Sequence, residues 1–536
     1  MTNAAICPTG TASAPSSAQM LQDFLAGIER VPLIDPDLPD HIKAAQSLRL
    51  FDSRHRVRAG LRLLAALPED LRLDAIEALK QQPTWSYRYF CQLIVAELYL
   101  EAGDRRGALP FIRAAATANE SDLYAETLLI DAEVAIAAEE GKPHRFAGLR
   151  EYLGQSFCYR PWQCLDLNAF DLKAARITPC DAWSPVAIGD ALLDPVHEIW
   201  NARMAQEFRR SMLDGSFRYC SKIRCPFISH RTLPARPADA ELDLPAPAGN
   251  HQSGPDHHVT GGISTGEAKA PLSASAGRER YGLKTQASPR SVMLGLDREC
   301  NLACPQCRPD FHVANESDRT AVDRIIARLT PELWNGVRVV RLNTNGDLFA
   351  GRASRRLLEQ LSRDRFPQLR FDFITNGQLL DRRTFDHFDL KGRMTGLSIS
   401  MDAATEETYR IVRRGGEFSR LLSNLEFLDG LRQNEGETFQ LRLEFVVSAW
   451  NFREMIPFVE IGRRFHADAV LFTAFFNWHF RDEQFRQVNV ADPRHPDHQQ
   501  LVEILRSPEI DVPLVKISGL LHLRDHAPRE ASEARS

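Results

Sequence analysis

Apolar residues recur at two different spacings along the chain, and the change of spacing divides it into regions. From about residue 21 to 151 they recur every three or four positions, as in residues 58–66 and 94–100, a period typical of helices buried on one face. From Ser291 onward, short apolar runs alternate with helical patterns. We therefore predict an all-α region followed by an α/β region.

One part of the helical region has a sharper pattern, which resembles a tetratricopeptide (TPR) helix pair. Six residues match its offsets: Ala96, Tyr99, Gly103, Ala108, Ile112 and Ala115. Small residues let two antiparallel helices approach closely, and Gly103 favours the turn between them. Because one repeat cannot bury its own apolar face, repeats need stacking neighbours. The prediction for residues 21–151 is a TPR-like domain with degenerate flanking repeats, and a plain helical bundle stays open.

The α/β region contains six strand candidates. They are residues 292–296, 337–342, 370–374, 396–400, 441–447 and 469–472. Their alternation with helical patterns predicts a parallel sheet with right-handed crossovers. Residues 229–289 are rich in Pro, Ala, Gly, Ser and His, so we predict a flexible linker there. Residues 1–20 and 527–536 are predicted to be disordered tails.

Composition and charge exclude several classes of protein. The chain of 536 residues is long enough for more than one domain. Its net charge of −5 gives no general argument for nucleic acid or an anionic membrane, and no concentrated basic and aromatic patch indicates nucleic-acid binding. The N-terminal residues lack the apolar core of a signal peptide, and no stretch is apolar enough to span a membrane. We expect a cytoplasmic protein without a membrane partner.

The three cysteines Cys300, Cys304 and Cys307 directly follow the first predicted strand. In a chain without an export signal, clustered cysteines favour metal binding over disulfides. Three thiolates on one tight loop can hold three irons of a cubane cluster and leave the fourth iron open. A zinc knuckle is the alternative, but structural zinc takes four ligands and His312 is the one histidine nearby.

This CxxxCxxC loop after a strand resembles the signature of the radical S-adenosylmethionine (SAM) enzymes. The resemblance implies a partial (β/α)6 barrel over residues 290–526, a 4Fe–4S cluster on the three cysteines, and SAM on the open iron. It also implies SAM contacts by residues that follow the later strands: Gly346, Asp347, Asn376, Ser400 and Asp402. Capping of loops is the alternative role for Asn376, Ser400 and Asp402.

The family pattern continues with Arg413 or Arg414, but the chain departs from it at two places. Gln306 stands where an aromatic residue usually precedes the third cysteine. Asp347 and Leu348 stand where Glu-Pro is common. These changes leave the adenine contact and the shape of the second loop open, whereas the three cysteines are unaffected.

A second group of cysteines lies within residues 152–228. Cys158, Cys180, Cys220 and Cys225 match the cysteine positions of the SPASM or twitch auxiliary module, which implies a second 4Fe–4S cluster. Cys164 lies outside the core pattern. Zinc on four cysteines stays open, because thiolates alone do not separate the two metals. The module usually follows the barrel, whereas here it precedes it.

The function that the resemblance implies is reductive cleavage of SAM to a 5′-deoxyadenosyl radical, which abstracts hydrogen from a substrate. An electron donor such as flavodoxin or ferredoxin is then expected. A peptide or protein is the first expected substrate, with the helical region as a possible groove; a sugar or small metabolite is the alternative. The alternative that is not an enzyme is a protein-interaction scaffold, whose TPR domain binds partners and whose clusters sense redox state. The sequence identifies no catalytic acid or base.

Overall fold

The structure is a computed structural model. It describes residues 16–43 except 33 and 35, and then residues 52–82, 89–119, 121–169, 172–180, 184–237, 281–296, 298–342, 346–477 and 479–525. The predictions for residues 1–15, 238–280 and 526–536 therefore lie outside the described residues. The helix Ser17–Glu29 begins within the predicted N-terminal tail, because the Ser16 side chain caps it by accepting from the Gln19 amide.

The described strands form one sheet of ten strands in the order β10-β9-β8-β7-β6-β5-β4-β1-β2-β3. In chain order they are β1 (Cys164–Asn168), β2 (Arg176–Thr178), β3 (Gly189–Asp190), β4 (Ser291–Gly295), β5 (Val339–Leu342), β6 (Arg370–Thr375), β7 (Met394–Ser400), β8 (Gln440–Val447), β9 (Ala469–Ala474) and β10 (Val515–Ser518). All neighbouring pairs from β1 through β10 are parallel, except the antiparallel pairs β1–β2 and β2–β3. The carboxyl ends of the parallel strands therefore meet at one edge.

The predicted parallel sheet with helices is confirmed, and β4 to β9 lie within three residues of the predicted strands. β10 and β1 extend the sheet beyond this prediction. β1 pairs in parallel with β4 along its full length, from Cys164 opposite Ser291 to Asn168 opposite Gly295. Its short run Leu165–Leu167 is buried, but nothing local marks it as a partner of a strand more than a hundred residues away.

The chain divides into two compact units. The helical unit comprises Met1–Cys158, Trp183–Ala187 and Gln206–Leu283. The sheet unit comprises Tyr159–Ala182, Ile188–Ala205 and Lys284–Ser536. The segment predicted as one cysteine-rich module, residues 152–228, is thus divided between the two units. β1 to β3 explain the division, because backbone pairing with β4 assigns this part of the segment to the sheet.

The helical unit is built from short helices. They are Ser17–Glu29, Arg54–Ala65, Glu69–Lys80, Phe90–Glu101, Arg105–Ala118, Leu123–Glu139, Leu149–Gly154 and Pro226–Ser229, with most of Arg203–Leu213. In the predicted TPR-like pair, Ala96, Ala108 and Ile112 are buried in one cluster. Gly103 has a φ of +80° in the turn between the two helices, a conformation that glycine adopts without strain. Membership of the TPR family stays a prediction.

The helices of the sheet unit lie mostly between consecutive strands. They are Arg160–Gln163, Val196–Ile199, Glu316–Ala327, Pro331–Trp334, Arg352–Gln360, Arg382–His387, Glu406–Val412, Phe418–Asn434, Met455–Arg464, Asp482–Val488, His498–Leu505 and Leu521–Asp525, with the 3-10 helix Phe452–Glu454. Glu316–Ala327 begins at a capping box of Asn315 and Asp318. Across the described residues, no helix combines the length and apolar composition needed to cross a membrane.

Alternation along the strands decides which side chains reach the core. Leu441, Leu443 and Phe445 of β8 are fully buried, whereas Arg442 and Glu444 between them point to the opposite face. β5 repeats this burial pattern, whereas Asp372 of β6 and Ser398 of β7 are polar residues that are themselves buried between apolar neighbours. The sheet therefore has one apolar face under the helices and one face that carries polar and charged side chains.

Candidate functional site

The loop that carries Cys300, Cys304 and Cys307 begins after the carboxyl end of β4. The backbone amides of Cys307 and Arg308 both donate to the Cys304 carbonyl, at 2.9 and 3.0 Å, which closes a tight turn. The Ala303 amide donates to the Arg414 carbonyl at 2.9 Å. Cys304 is buried, Cys300 is half-buried and Cys307 is exposed. The loop is thus tied to a segment that follows β7.

Each of the three cysteine sulfurs lies within reach of an N–H donor. Cys300 Sγ accepts from the Leu302 amide at 3.4 Å and faces Asn376 Nδ2 at 3.8 Å. Cys304 Sγ faces Arg413 Nη1 at 3.7 Å, and Cys307 Sγ faces Arg308 Nη2 at 3.6 Å. Hydrogen bonds to sulfur favour the thiolate over the thiol, and the thiolate is the form that binds metal.

Burial acts in the opposite direction on two of these thiols. It raises the pKa of Cys300 to about 11, and the nearby Asp347 carboxylate adds to the effect. Burial also raises the pKa of Cys304, which the Arg413 guanidinium partly offsets. Without a metal, both thiols are therefore protonated at neutral pH, and metal binding there would release protons.

The donor set of this loop has the chemistry that an iron–sulfur cluster would use. Among the described residues, no group of three or more His, Cys, Asp and Glu side chains is arranged to hold one metal ion. His312 Nε2 lies 3.8 Å from Asp318. A cubane differs from a single ion, because its cysteines bind different irons and its sulfurs accept hydrogen bonds. Three thiols with N–H donors at each sulfur have this chemistry.

Gly346 and Asp347 follow the second predicted strand and pack against the start of the cysteine loop. A Cβ on Gly346 would lie 2.0 Å from the Glu299 carbonyl oxygen, so only glycine fits there. The Asp347 amide donates to the same carbonyl at 2.8 Å. The buried Asp347 carboxylate accepts from Thr375 Oγ1 at 2.6 Å, and from the amides of Asn376 and Phe349 at 2.8 and 3.0 Å. These contacts occupy the carboxylate within the protein, and its contact with SAM stays a prediction.

Asn376, after β6, lies beside the cysteine loop. Its Nδ2 donates to Asn301 Oδ1 at 2.9 Å and faces Cys300 Sγ. Its Oδ1 accepts from the Gln378 amide at 3.0 Å, which is the turn-capping role that the sequence left open. The structure therefore brings Asn376 close to the thiols, while its SAM contact stays a prediction.

Asp402 and Ser400, at the end of β7, have different surroundings. Buried Asp402 accepts from the Val446 amide at 2.8 Å and from Gln306 Nε2, and its carboxylate lies 2.7 Å from Arg413 Nη2. Burial raises the pKa of Asp402, which Arg413 opposes. Half-buried Ser400 donates to Glu444 Oε2 at 3.3 Å. A SAM contact by either residue stays a prediction.

The polar face of the sheet carries residues that the sequence reasoning did not single out. Asp372 bridges two arginines: one carboxylate oxygen lies 3.0 Å from Arg341 Nη2, and the other accepts from Arg442 Nη2. Arg442 also donates to Ser398 Oγ at 2.8 Å. Burial raises the pKa of Glu444 on the same strand as Arg442. The sequence did carry a signal that could have identified these residues. Charged residues alternate with buried apolar residues in β5, β6 and β8.

The second cysteine group is divided between the units. Cys158, Cys220 and Cys225 belong to the helical unit, whereas Cys180 and Cys164 belong to the sheet unit. Burial raises the pKa of Cys220 well above its ordinary value, and the neighbouring Cys225 and Cys158 thiols add to this shift. Cys158 and Cys225 therefore lie close enough to Cys220 for their charges to act on its thiol. A fourth ligand from Cys180 stays a prediction.

A buried carboxylate from the helical region holds the loop between Cys220 and Cys225. Glu126, on the helix Leu123–Glu139, accepts from the Lys222 amide at 2.5 Å and from Ser221 Oγ. Lys222 Nζ in turn donates to the Cys220 carbonyl at 2.9 Å. Glu126 lies 95 and 96 positions from Ser221 and Lys222 in sequence, so no local pattern indicated the contact.

No protein-family model and no curated protein matches this sequence. Among solved structures, the chain is similar to Streptococcus suis SuiB bound to precursor peptide SuiA, at 14% identity and a TM-score of 0.30, over 44% of this chain and 50% of that one. It is similar to anSMEcpe with bound AdoMet at 14% identity and a TM-score of 0.28, over 36% and 51% of the two chains. It is also similar to TsrM from Kitasatospora setae, a radical S-adenosylmethionine methyltransferase, at 13% identity and a TM-score of 0.25, over 34% and 35%. The chain thus spans about half of these structures or less, and TM-scores this low carry no argument about function.

Proposed function

We propose that this chain is a radical SAM enzyme with its 4Fe–4S cluster on Cys300, Cys304 and Cys307. The observation that carries the proposal is the loop itself. Three thiols at this spacing follow the carboxyl end of a parallel strand, and an N–H donor lies within reach of each sulfur. Ligands of parallel α/β proteins bind at this edge of the sheet.

The cluster, when bound, would supply the electron that cleaves SAM to methionine and a 5′-deoxyadenosyl radical. The residues of the chain would bind the cluster and SAM and hold them in the orientation that the reaction needs. Cys300 and Cys304 would lose their protons on binding iron, and Asn376 and Arg413, which face their sulfurs, would donate to them. We further propose SAM contacts by residues around the loop: Gly346, Asp347, Asn376, Ser400 and Asp402. An external electron donor such as flavodoxin or ferredoxin belongs to the same proposal.

A peptide or protein is the substrate we favour over a sugar or small metabolite. Exposed large apolar residues follow the carboxyl ends of three strands near the cysteine loop: Phe311 and Val313 after β4, Ile411 after β7 and Phe476 after β9. Exposed apolar groups near a site suit apolar side chains of a partner. For Cys158, Cys180, Cys220 and Cys225 we propose an auxiliary 4Fe–4S cluster, with zinc as the alternative.

The test uses anaerobically purified and reconstituted full-length protein. Iron and sulfide content and the electron paramagnetic resonance (EPR) spectrum of the reduced protein are measured with and without SAM, together with 5′-deoxyadenosine release. About eight irons, as expected for two 4Fe–4S clusters, with a SAM-sensitive signal would support both clusters. About four irons with zinc would support only the cluster at the first site. Little iron and no response to SAM would overturn the proposal. That result would favour the alternative of a redox-sensing TPR scaffold.

A further inference from the structure

Arg413 forms a bridge between a buried carboxylate and a cysteine sulfur. It follows the helix Glu406–Val412, and its side chain is 11% exposed. Its Nη2 lies 2.7 Å from Asp402 Oδ2, and its Nη1 lies 3.7 Å from Cys304 Sγ. One guanidinium thus contacts both groups with different nitrogens, which its planar fork permits.

Several contacts fix the carboxylate that holds Arg413. Asp402 has a φ of +60°, a left-handed conformation that is uncommon for residues other than glycine. The Asn451 side-chain amide donates to the Asp402 carbonyl at 2.9 Å, and the Val446 amide donates to its carboxylate at 2.8 Å. Gln306 must present its amide nitrogen to the same carboxylate, because its oxygen would be repelled there. Asp402 therefore cannot turn away from Arg413 without losing these bonds.

Gln306 connects the network to the unusual position in the cysteine loop. A phenylalanine ring at the position before Cys307 would carry no hydrogen-bond donor, whereas the Gln306 amide donates to Asp402. Gln306 Oε1 and Arg413 Nε are buried and have no hydrogen-bond partner among the described residues. The chain thus keeps polar groups beside Cys304, although burying an apolar ring at such a site would cost less free energy.

We infer that Asp402 and Gln306 hold Arg413 as a hydrogen-bond donor to the Cys304 sulfur, where it sets the reduction potential of the bound cluster. The inference rests on the proposed function. Reduction adds a negative charge to the cluster, and hydrogen bonds to its sulfurs and nearby net charge determine how well that charge is stabilised. With respect to the cluster, Arg413 and Asp402 act through Cys304 and are positioning residues, whichever contact Asp402 also makes with SAM.

The two charges of the pair predict opposite effects when each is removed. Arg413→Gln removes the positive charge and the charge-assisted donor, so the reduction potential falls. Asp402→Asn leaves the Arg413 charge without its partner, so the reduction potential rises. A role confined to packing would lower cluster content in both variants without shifting the potential in opposite directions.

The experiment is an EPR-monitored potentiometric titration of reconstituted full-length protein, without SAM. The signal followed is the one that SAM alters in a separate sample. The matched control is Arg410→Gln, which removes the same charge from an exposed position of the helix Glu406–Val412. We expect the potential of Asp402→Asn to lie above that of the wild type, the potential of Arg413→Gln to lie below it, and the control to stay near it.

Equal potentials in all four proteins, or shifts of the same sign in both variants, would overturn the inference while leaving the proposed function intact. If Arg413→Gln takes up no cluster, Asp402→Asn decides: a raised potential supports the inference, and an unchanged or lowered one overturns it. A wild-type protein without a SAM-sensitive cluster would overturn the proposed function and the inference together.

Discussion

The two groups of cysteines are held in place by different means. Cys300, Cys304 and Cys307 share one loop of the sheet unit, and the donors to their sulfurs come from that loop and from loops that follow β6 and β7. The second group is spread from Cys158 to Cys225 and is divided between the two units. Its Cys220 loop is held by a carboxylate from a helix far away in sequence.

This difference teaches how much local sequence can specify. In the first group, a strand end and a tight turn place three thiols on one loop, and distant segments add the Asn376 and Arg413 donors. In the second group, Cys158, Cys220 and Cys225 share a unit only after distant segments have packed, so the metal site proposed there depends on the fold around it. The predictions below test this contrast, from complete loss of function to a change in the rate of one reaction.

The largest effect is expected from removing a thiol of the first group. Cys300→Ala, Cys304→Ala or Cys307→Ala should abolish 5′-deoxyadenosine release, because a cubane with one missing thiolate is not held at this loop. Iron or zinc at the second group should remain, which metal analysis measures. The matched control is Cys91→Ala, which changes a buried cysteine of the helical unit. Retained SAM cleavage in any of the three variants would contradict the cluster assignment.

The next effect concerns the buried carboxylate that joins the loops after β5 and β6. Asp347→Asn keeps the size of the side chain, but its amide nitrogen would face either the Phe349 amide or the Thr375 hydroxyl and the Asn376 amide, which are donors. Leaving buried groups unpaired costs about 1–3 kcal/mol. We expect the cluster-free protein to melt at a lower temperature, by calorimetry. Asp364→Asn, at an exposed position, is the control, and equal melting of the two variants would argue against the network.

A smaller effect is expected from the carboxylate that supports the Cys220 loop. Glu126→Gln replaces one of the two oxygens that accept from the Lys222 amide and the Ser221 hydroxyl by an N–H donor, at a cost of about 1–2 kcal/mol. Metal at the second group should fall, while 5′-deoxyadenosine release persists. Glu140→Gln is the matched control, since Glu140 pairs with Arg106 and Lys142 at the surface. A full metal complement in the Glu126 variant would show that the loop does not need this support.

The smallest effect is a change in chemical reactivity. Burial raises the pKa of Cys300 to about 11, so its thiolate fraction in the metal-free protein rises about tenfold per pH unit below that value. Its alkylation by iodoacetamide, followed by mass spectrometry, should keep accelerating up to about pH 11. In the denatured protein the same rate should level off near the ordinary pKa of 9.0. Levelling near that value in the folded protein would rule out the burial effect.

The sequence by itself determined the parallel α/β region. Alternating apolar runs and helical patterns located β4 to β9, because buried strands and their crossover helices have distinct periods. The placement of Cys300, Cys304 and Cys307 after the first of these strands also follows from sequence order alone. Local spacing was sufficient for both, since each depends on neighbouring residues.

Only the tertiary structure decided which distant groups meet. β1 joins the sheet beside β4, Glu126 reaches the Cys220 loop, and Asp402 pairs with Arg413 beside Cys304. None of these contacts has a signal in the local sequence. Which groups pair depends on which backbone and polar groups still lack hydrogen-bond partners once the chain has collapsed. Gln306 illustrates the division: its sequence position marked a departure from the family pattern, and the fold supplied Asp402 as its partner.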